Sequence, residues 1–165
     1  MKWMCSVLMI SLSLVAWSQQ DYDGAKAAVM DYIEGTAHGE LDRLRNAFHP
    51  MAALYTVGEG DSIRRIPIDT YIGYFKPGRE TGRQGHIVSI DVVNNAASAI
   101  VEIDMGERRF TDYILLLRLH NGWKIIQKSY TNEPYQRKGK LLFVVSSADT
   151  YGKTGYTTGV HFGEI

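Results

Sequence analysis

The hydrophobic period of this chain switches at Pro50, and that switch restricts the fold more than any other feature. Before it, apolar residues recur at helical spacing: Ala25, Ala28, Val29, Tyr32 and Ile33 fall on one face of a helix that starts near Tyr22. Gly35 and Gly39 bracket the end of that helix. Leu41, Leu44, Ala47 and Phe48 form the stripe of a second, shorter helix. It begins near Glu40 and stops at His49-Pro50, because the residue before a proline is pushed out of the helical region. Beyond Pro50 the chain alternates instead. Ala53–Val57 reads as a strand and Ser62–Ile66 as its partner. Gly58-Glu59-Gly60-Asp61 joins them as a turn, since it lacks both the lysine and the strand-to-helix setting of a phosphate-cradling loop. Pro67 opens a third short helix with Ile68, Tyr71, Ile72 and Phe75 behind it, closed by Lys76-Pro77-Gly78-Arg79. Four strands then follow: His86–Val93, Ala97–Asp104, Phe110–His120 and Trp123–Tyr130, with Asn94-Asn95 and Asn121-Gly122 as hairpin turns. Helices ahead of a strand meander predict an α+β fold in which a curved antiparallel sheet wraps the helices.

Charge and cysteine usage remove whole classes of function. The 18 basic side chains are matched by 18 acidic ones, so there is no basic excess with which to bind nucleic acid by displacing counterions. The one cysteine, Cys5, excludes a disulfide framework and a zinc cluster. His38, His86 and His120 show no metal-ligand spacing, and neither a metal nor another cofactor is expected. Cys5 also falls in a segment with the plan of an export signal. Lys2 provides a positive start, Val7–Ala16 is apolar but too short to span a bilayer, and Ala16-Trp17-Ser18 places small residues for cleavage before Gln19. Gln19-Gln20-Asp21 then forms a polar break. Residues 1–18 are therefore expected to be a signal peptide, and the protein to be exported to a bacterial periplasm or the medium with no membrane span. Because Cys5 precedes the apolar stretch, a lipid anchor is not expected.

Several blocks together resemble a known family: Asp31-Tyr32-Ile33-Glu34-Gly35, the segment ending Phe48-His49-Pro50, the Gly58–Asp61 turn, and Phe110-Thr111-Asp112-Tyr113 through Asn121-Gly122-Trp123 to Lys128. They are similar, over about residues 22–133, to the putative lumazine-binding family of the nuclear transport factor two-like (SnoaL-like) superfamily. The resemblance implies a cone-shaped fold, a planar pterin-like ligand and a homodimer, in a superfamily that holds isomerases, cyclases, dehydratases and pure binding modules. The expected domain is residues 19–133, followed by a linker and a second signature over 134–165. There Leu141-Leu142-Phe143-Val144-Val145, Ser146-Ser147, Asp149-Thr150, Thr158-Gly159 and Glu164 resemble the opening strand and loop of a PfpI-type domain. In that superfamily the acidic residue at the place of Glu164 supports a cysteine far downstream, so Glu164 is expected to be vestigial. The segment reads either as the start of a domain cut short or as an added edge strand or swapped arm.

The cone-shaped fold implies a cavity between the helices and the concave sheet face. Asp112 shares strand parity with Phe110, Ile114 and Leu116, which turns a carboxylate toward apolar neighbours. It is either a working acid or base, or the partner of a cross-strand Lys128 or Arg118. His49 serves as a catalytic candidate or as a helix C-cap. Tyr55 and Tyr71 are candidate stacking groups or plain core, and Lys128 completes the pocket candidates. Arg64-Arg65 and Arg108-Arg109 read as solvated edge or turn pairs. Three functions follow. The first is a non-catalytic, exported small-molecule-binding or interaction module. It dimerises through the outer sheet face, where Tyr113, Leu115, Leu117 and Leu119 oppose inward Ile114 and Leu116. The second is an isomerase or lyase on a small cyclic or ketone substrate, with Asp112 as base and Tyr55 or His49 as donor to the enolate. The third is an accessory domain of a truncated PfpI-type stress protein. Since a bare Leu141–Val145 strand is an aggregation hazard, deleting residues 138–165 is predicted to raise solubility and leave the thermal midpoint unchanged. A large fall in the midpoint, read by circular dichroism, would instead make the tail part of the fold.

Overall fold

Six strands form one sheet in the order β2-β1-β6-β5-β4-β3, and the helices lie against its inner face. The structure is a computed structural model that describes residues 2–135, with side chains from residue 19 onward. The elements run α1 (Lys2–His38), α2 (Leu41–Ala47), β1 (Phe48–Val57), β2 (Ile63–Pro67), α3 (Ile68–Ile72), β3 (Gln84–Val93), β4 (Ala96–Asp104), β5 (Arg108–Leu119) and β6 (Gly122–Pro134). The α+β class and the helix-then-meander order are as the sequence implies. Among the described residues no helix is long and apolar enough to cross a membrane. The PfpI-like stretch after the linker, with Glu164, lies outside the described residues.

One junction departs from a wholly antiparallel sheet. β1 pairs with β2 antiparallel but with β6 parallel, so the first strand docks beside the last and the sheet is mixed. A parallel pair needs a long crossover, and the intervening meander supplies it. β1 also begins earlier than the spacing suggests. Phe48, His49 and Pro50 belong to this strand rather than to the end of α2, and the pairing with β6 is interrupted between Phe48 and Ala53. Pro50, which has no N–H to give, sits in that interruption.

The core confirms the two periods. Val29, Tyr32 and Ile33 of α1 are buried, as are Ala97, Ala99, Val101 and Ile103 of β4 and Ile114 and Leu116 of β5. On β3 strict alternation puts Val88, Ile90 and Val92 on one face, but a bulge between Ile87 and Ser89 turns Val88 out and leaves Ile87, Ile90 and Val92 facing the core. Helix α1 passes through Gln19-Gln20-Asp21, where a break is expected from the polar run. There Gln19 Nε2 donates to Asp23 Oδ1 at 3.1 Å one turn on, and Asp21 pairs with Arg118 of β5, so these polar groups hold the helix rather than end it.

Three glycines show why the layers approach so closely. Gly39, at φ +65°, ends α1, and a Cβ there would lie 2.4 Å from the Lys76 carbonyl oxygen. Gly35 is not a terminator; it lies inside α1, where Leu44 of α2 rests on its Cα. Gly85 on β3 plays the same part under α1, since an added Cβ would stand 2.7 Å from Ile33 and 2.6 Å from Ile103, both buried. Overpacking at such a point costs about 1–3 kcal/mol. Gly85→Ala is therefore predicted to lower the unfolding free energy by about that amount in urea titration. No change would mean that α1 and β3 can separate freely.

Candidate functional site

Three buried polar side chains meet where α1 crosses β5 and β6. Tyr32 arrives from the buried stripe of α1, Asp112 from the inward parity of β5, and Lys128 from β6. Tyr32 Oη donates to Asp112 Oδ2 at 2.5 Å, and Lys128 Nζ donates to Asp112 Oδ1 at 3.0 Å and to Tyr32 Oη at 2.9 Å. Both carboxylate oxygens are thus held, one by each partner. Burial first, and then the charge of Asp112, push the Tyr32 hydroxyl well above the ordinary tyrosine range, so it remains a neutral donor.

The β6 partner depends on a bulge. Strict alternation from the inward Ile125 turns Gln127 and Ser129 inward and Lys128 out. The register of β5 with β6 shifts between Leu115 and Leu116, however, so that Ile114 opposes Lys128 and Asp112 opposes Tyr130. One extra residue on β6 places Lys128 and Tyr130 on the concave face. Asp112 and Lys128 are therefore diagonal cross-strand neighbours, and this pairing is the partner reading of Asp112 that names Lys128; Arg118 pairs instead with Asp21.

A cavity of about 180 Å³ opens beside this cluster. Leu54, Ile66, Ile103 and Phe110 provide apolar wall, and Tyr71 and Tyr130 bring their rings to 5.2 and 5.1 Å from Lys128 Nζ. The Tyr32 ring lies at 4.9 Å, so three aromatic faces surround the ammonium. The more exposed lining residues, Arg64, Tyr74 and Arg83, mark the mouth. Arg83 Nη1 donates to Tyr71 Oη at 3.2 Å, and its guanidinium lies over Phe75. Three cations and one carboxylate line the space, which favours a ligand carrying negative charge.

Of the residues singled out from the sequence, Asp112, Lys128 and Tyr71 line this cavity. Tyr55 does not, because it alternates with the inward Leu54 and stands on the outer face opposite Arg65 and Ser129. His49 is also elsewhere: it lies on β1 beside Pro50, where its Nδ1 accepts the Met51 N–H at 3.2 Å. Tyr32, Arg64 and Arg83 were not distinguishable as site residues in sequence. Tyr32 reads as one more member of an apolar stripe, and Arg64 as half of a solvated pair. Of the second arginine pair, Arg109 is held by Asp104 at 2.8 Å and Glu102 at 3.2 Å and covers Tyr135, a structural role.

The comparisons agree with this architecture. The model of the family described as "Putative lumazine-binding" matches residues 20–131. A solved NTF2-like protein of unknown function from Shewanella baltica OS155 is 26% identical, with a TM-score of 0.62 over 70% of this chain and 96% of that one. Another, from Methylobacillus flagellatus KT, is also 26% identical, with a TM-score of 0.60 over 69% of this chain and 93% of that one. Among curated proteins, the Aldolase FrzH of Cladobotryum sp. is 22% identical over 120 residues, 71% of this chain and 95% of that protein.

The energetics of the cluster are open to test. Removing one member of a buried ion pair strands the other charge and costs about 3–5 kcal/mol, whereas replacing both with apolar groups is often neutral. Asp112→Ala is predicted to lose about that much in urea denaturation, and Asp112→Leu with Lys128→Met to recover most of it. Equal losses in the single and double variants would show that the charge of Lys128 is not what destabilises the single one.

Proposed function

Because this chain belongs to the putative lumazine-binding family, we propose that it is an exported, non-catalytic small-molecule-binding protein whose ligand fills the cavity beside Lys128. The observation that carries this reading is the closed state of Asp112: with Oδ1 taken by Lys128 and Oδ2 by Tyr32, the carboxylate exchanges protons only with these two partners and has no oxygen left to act directly on a ligand. Lys128 by contrast is an ammonium with three N–H groups, of which two have partners among the described residues. The third is available to an oxygen of the ligand. At about 180 Å³ the cavity falls below the roughly 300–1,000 Å³ typical of drug-sized ligands, which argues for a small metabolite. Its aromatic walls suit a planar body, and Arg64 and Arg83 at the mouth suit an acidic group.

The export signal over residues 1–18 and a dimer through the outer sheet face complete the proposal. Tyr113 and Leu115 stand 54% and 45% exposed side by side on that face, which supports a second copy covering them. The enzyme reading with Asp112 as base and Tyr55 or His49 as donor finds less support, since neither donor lines the cavity. What favours some chemistry in this fold is the aldolase-named relative, and it directs the ligand search toward carbonyl compounds.

The test is a thermal-shift and calorimetric screen with lumazine and small oxo acids. At least one compound is expected to raise the midpoint of the wild type and to be recovered unchanged. Lys128→Met should abolish the rise. Consumption of the bound compound would overturn the non-catalytic reading, and a rise that persists in Lys128→Met would move the ligand to another site.

A further inference from the structure

We propose that Lys128 is a carbonyl-capturing lysine, whose ε-amine condenses with the aldehyde or ketone group of a small oxo acid in the cavity to form a Schiff base. The inference rests on the reading that this cavity binds a small molecule and deepens it by naming the reacting group.

The case comes from the company this amine keeps. Lys128 is 4% exposed and lines the cavity, with one carboxylate oxygen at 3.0 Å and one phenolic oxygen at 2.9 Å. Its other neighbours are the faces of Tyr32, Tyr71 and Tyr130. A nucleophilic amine must first shed a proton, and Asp112 Oδ1 is placed to take it. That transfer runs along an existing 3.0 Å hydrogen bond and separates no charge, since it turns the buried pair into two neutral groups. The second buried lysine shows the contrast. Lys124 donates to the backbone carbonyl of Asn46 and to its Oδ1 at 3.0 Å. Among the described residues no carboxylate pairs with it, and it does not line the cavity, so its role is structural.

The condensation balances within the cluster. Lys128 gives one proton to Asp112, and the freed nitrogen pair attacks the carbonyl carbon as the carbon–oxygen π pair moves onto oxygen. Tyr32 donates to that oxygen and is reprotonated by Asp112, along the 2.5 Å hydrogen bond between them. Asp112 next takes a second proton from nitrogen and returns it through Tyr32 to the hydroxyl, which leaves as water while nitrogen forms the double bond. In sum, an ammonium and a carbonyl become an iminium and one water; Asp112 and Tyr32 end as they began, and nothing is oxidised or reduced. The arginines at the mouth, Arg64 and Arg83, account for the acid group of the oxo acid.

Full-length protein is incubated with glyoxylate or pyruvate and sodium cyanoborohydride, and the adduct is located by intact mass and peptide mapping. A saturable adduct confined to Lys128, formed ahead of any at the exposed Lys26 and Lys76, is the expected result. Tyr32→Phe should slow its formation by about a hundredfold with folding intact by circular dichroism, the scale of a lost general acid. Lys128→Arg should form none. Labelling of Lys26 and Lys76 with Lys128 untouched overturns the proposal, and because this is read on the wild type it does not depend on any variant folding. Thermal shift with the same oxo acids, run without the reductant, separates the two readings. A raised midpoint with no adduct defeats covalent capture alone, whereas neither a raised midpoint nor an adduct defeats the oxo-acid site as well.

Discussion

The hydrogen-bonded closure of Asp112 between Tyr32 and Lys128 is the constraint on which the rest of this structure depends. A carboxylate and an ammonium buried in a small domain are tolerable only when each is paired and hydrogen-bonded. Here the partners come from three different elements: the long first helix and the two central strands. Satisfying the pair therefore fixes where α1 sits across the sheet. The same geometry sets the cluster beside an open space, which Tyr32, Asp112 and Lys128 line together with Tyr71 and Tyr130. Core polarity and ligand cavity are one feature seen from two sides.

The docking of β1 beside β6 shapes that space. Since β1 runs parallel to β6, Leu54 opposes Lys128 on the inner face and the β1–β2 hairpin extends the wall, bringing Ile66 and Arg64 to the cavity. The opposite side of the mouth comes from the chain after α3. There the Thr81 hydroxyl and N–H hold the last carbonyls of α1, and Arg83 follows within two residues. His38, at the end of α1, reinforces that connection by bonding Glu80 at 2.8 Å and Glu34 at 3.1 Å. The Glu80 bond leads in raising the affinity of this imidazole for its proton. Arg83 is thus positioned by the segment that caps α1, and Arg64 by its place on β2.

Much of this was legible in the residues. The periods placed nearly every element, and the parity of β5 was enough to turn Asp112 inward with Phe110, Ile114 and Leu116. The misses have specific causes. Pro50 reads as a helix stop, whereas it sits inside a strand at the point where pairing fails anyway. Alternation groups Val88 with Ile90 and Val92, and a bulge turns it out of that face. Tyr55 is sound as a strand residue, but which face of β1 looks inward is decided by what β1 packs against. His49 moved with the strand that claimed it. A tyrosine in an apolar stripe gives no local hint that a carboxylate 80 positions later will receive its proton donor.

By itself, the amino-acid sequence determined the order and type of the elements, the inward side of the strands that alternate without interruption, and the family. Those properties follow from short-range spacing, which the backbone periods of helix and strand translate directly into faces. Only the tertiary structure decided the parallel placement of β1, the extra residue in β6 that swings Lys128 onto the concave face, and the meeting of Tyr32, Asp112 and Lys128. These depend on register, and a shift of one residue exchanges the two faces of a strand. Register is chosen by the whole sheet as it satisfies its buried groups together.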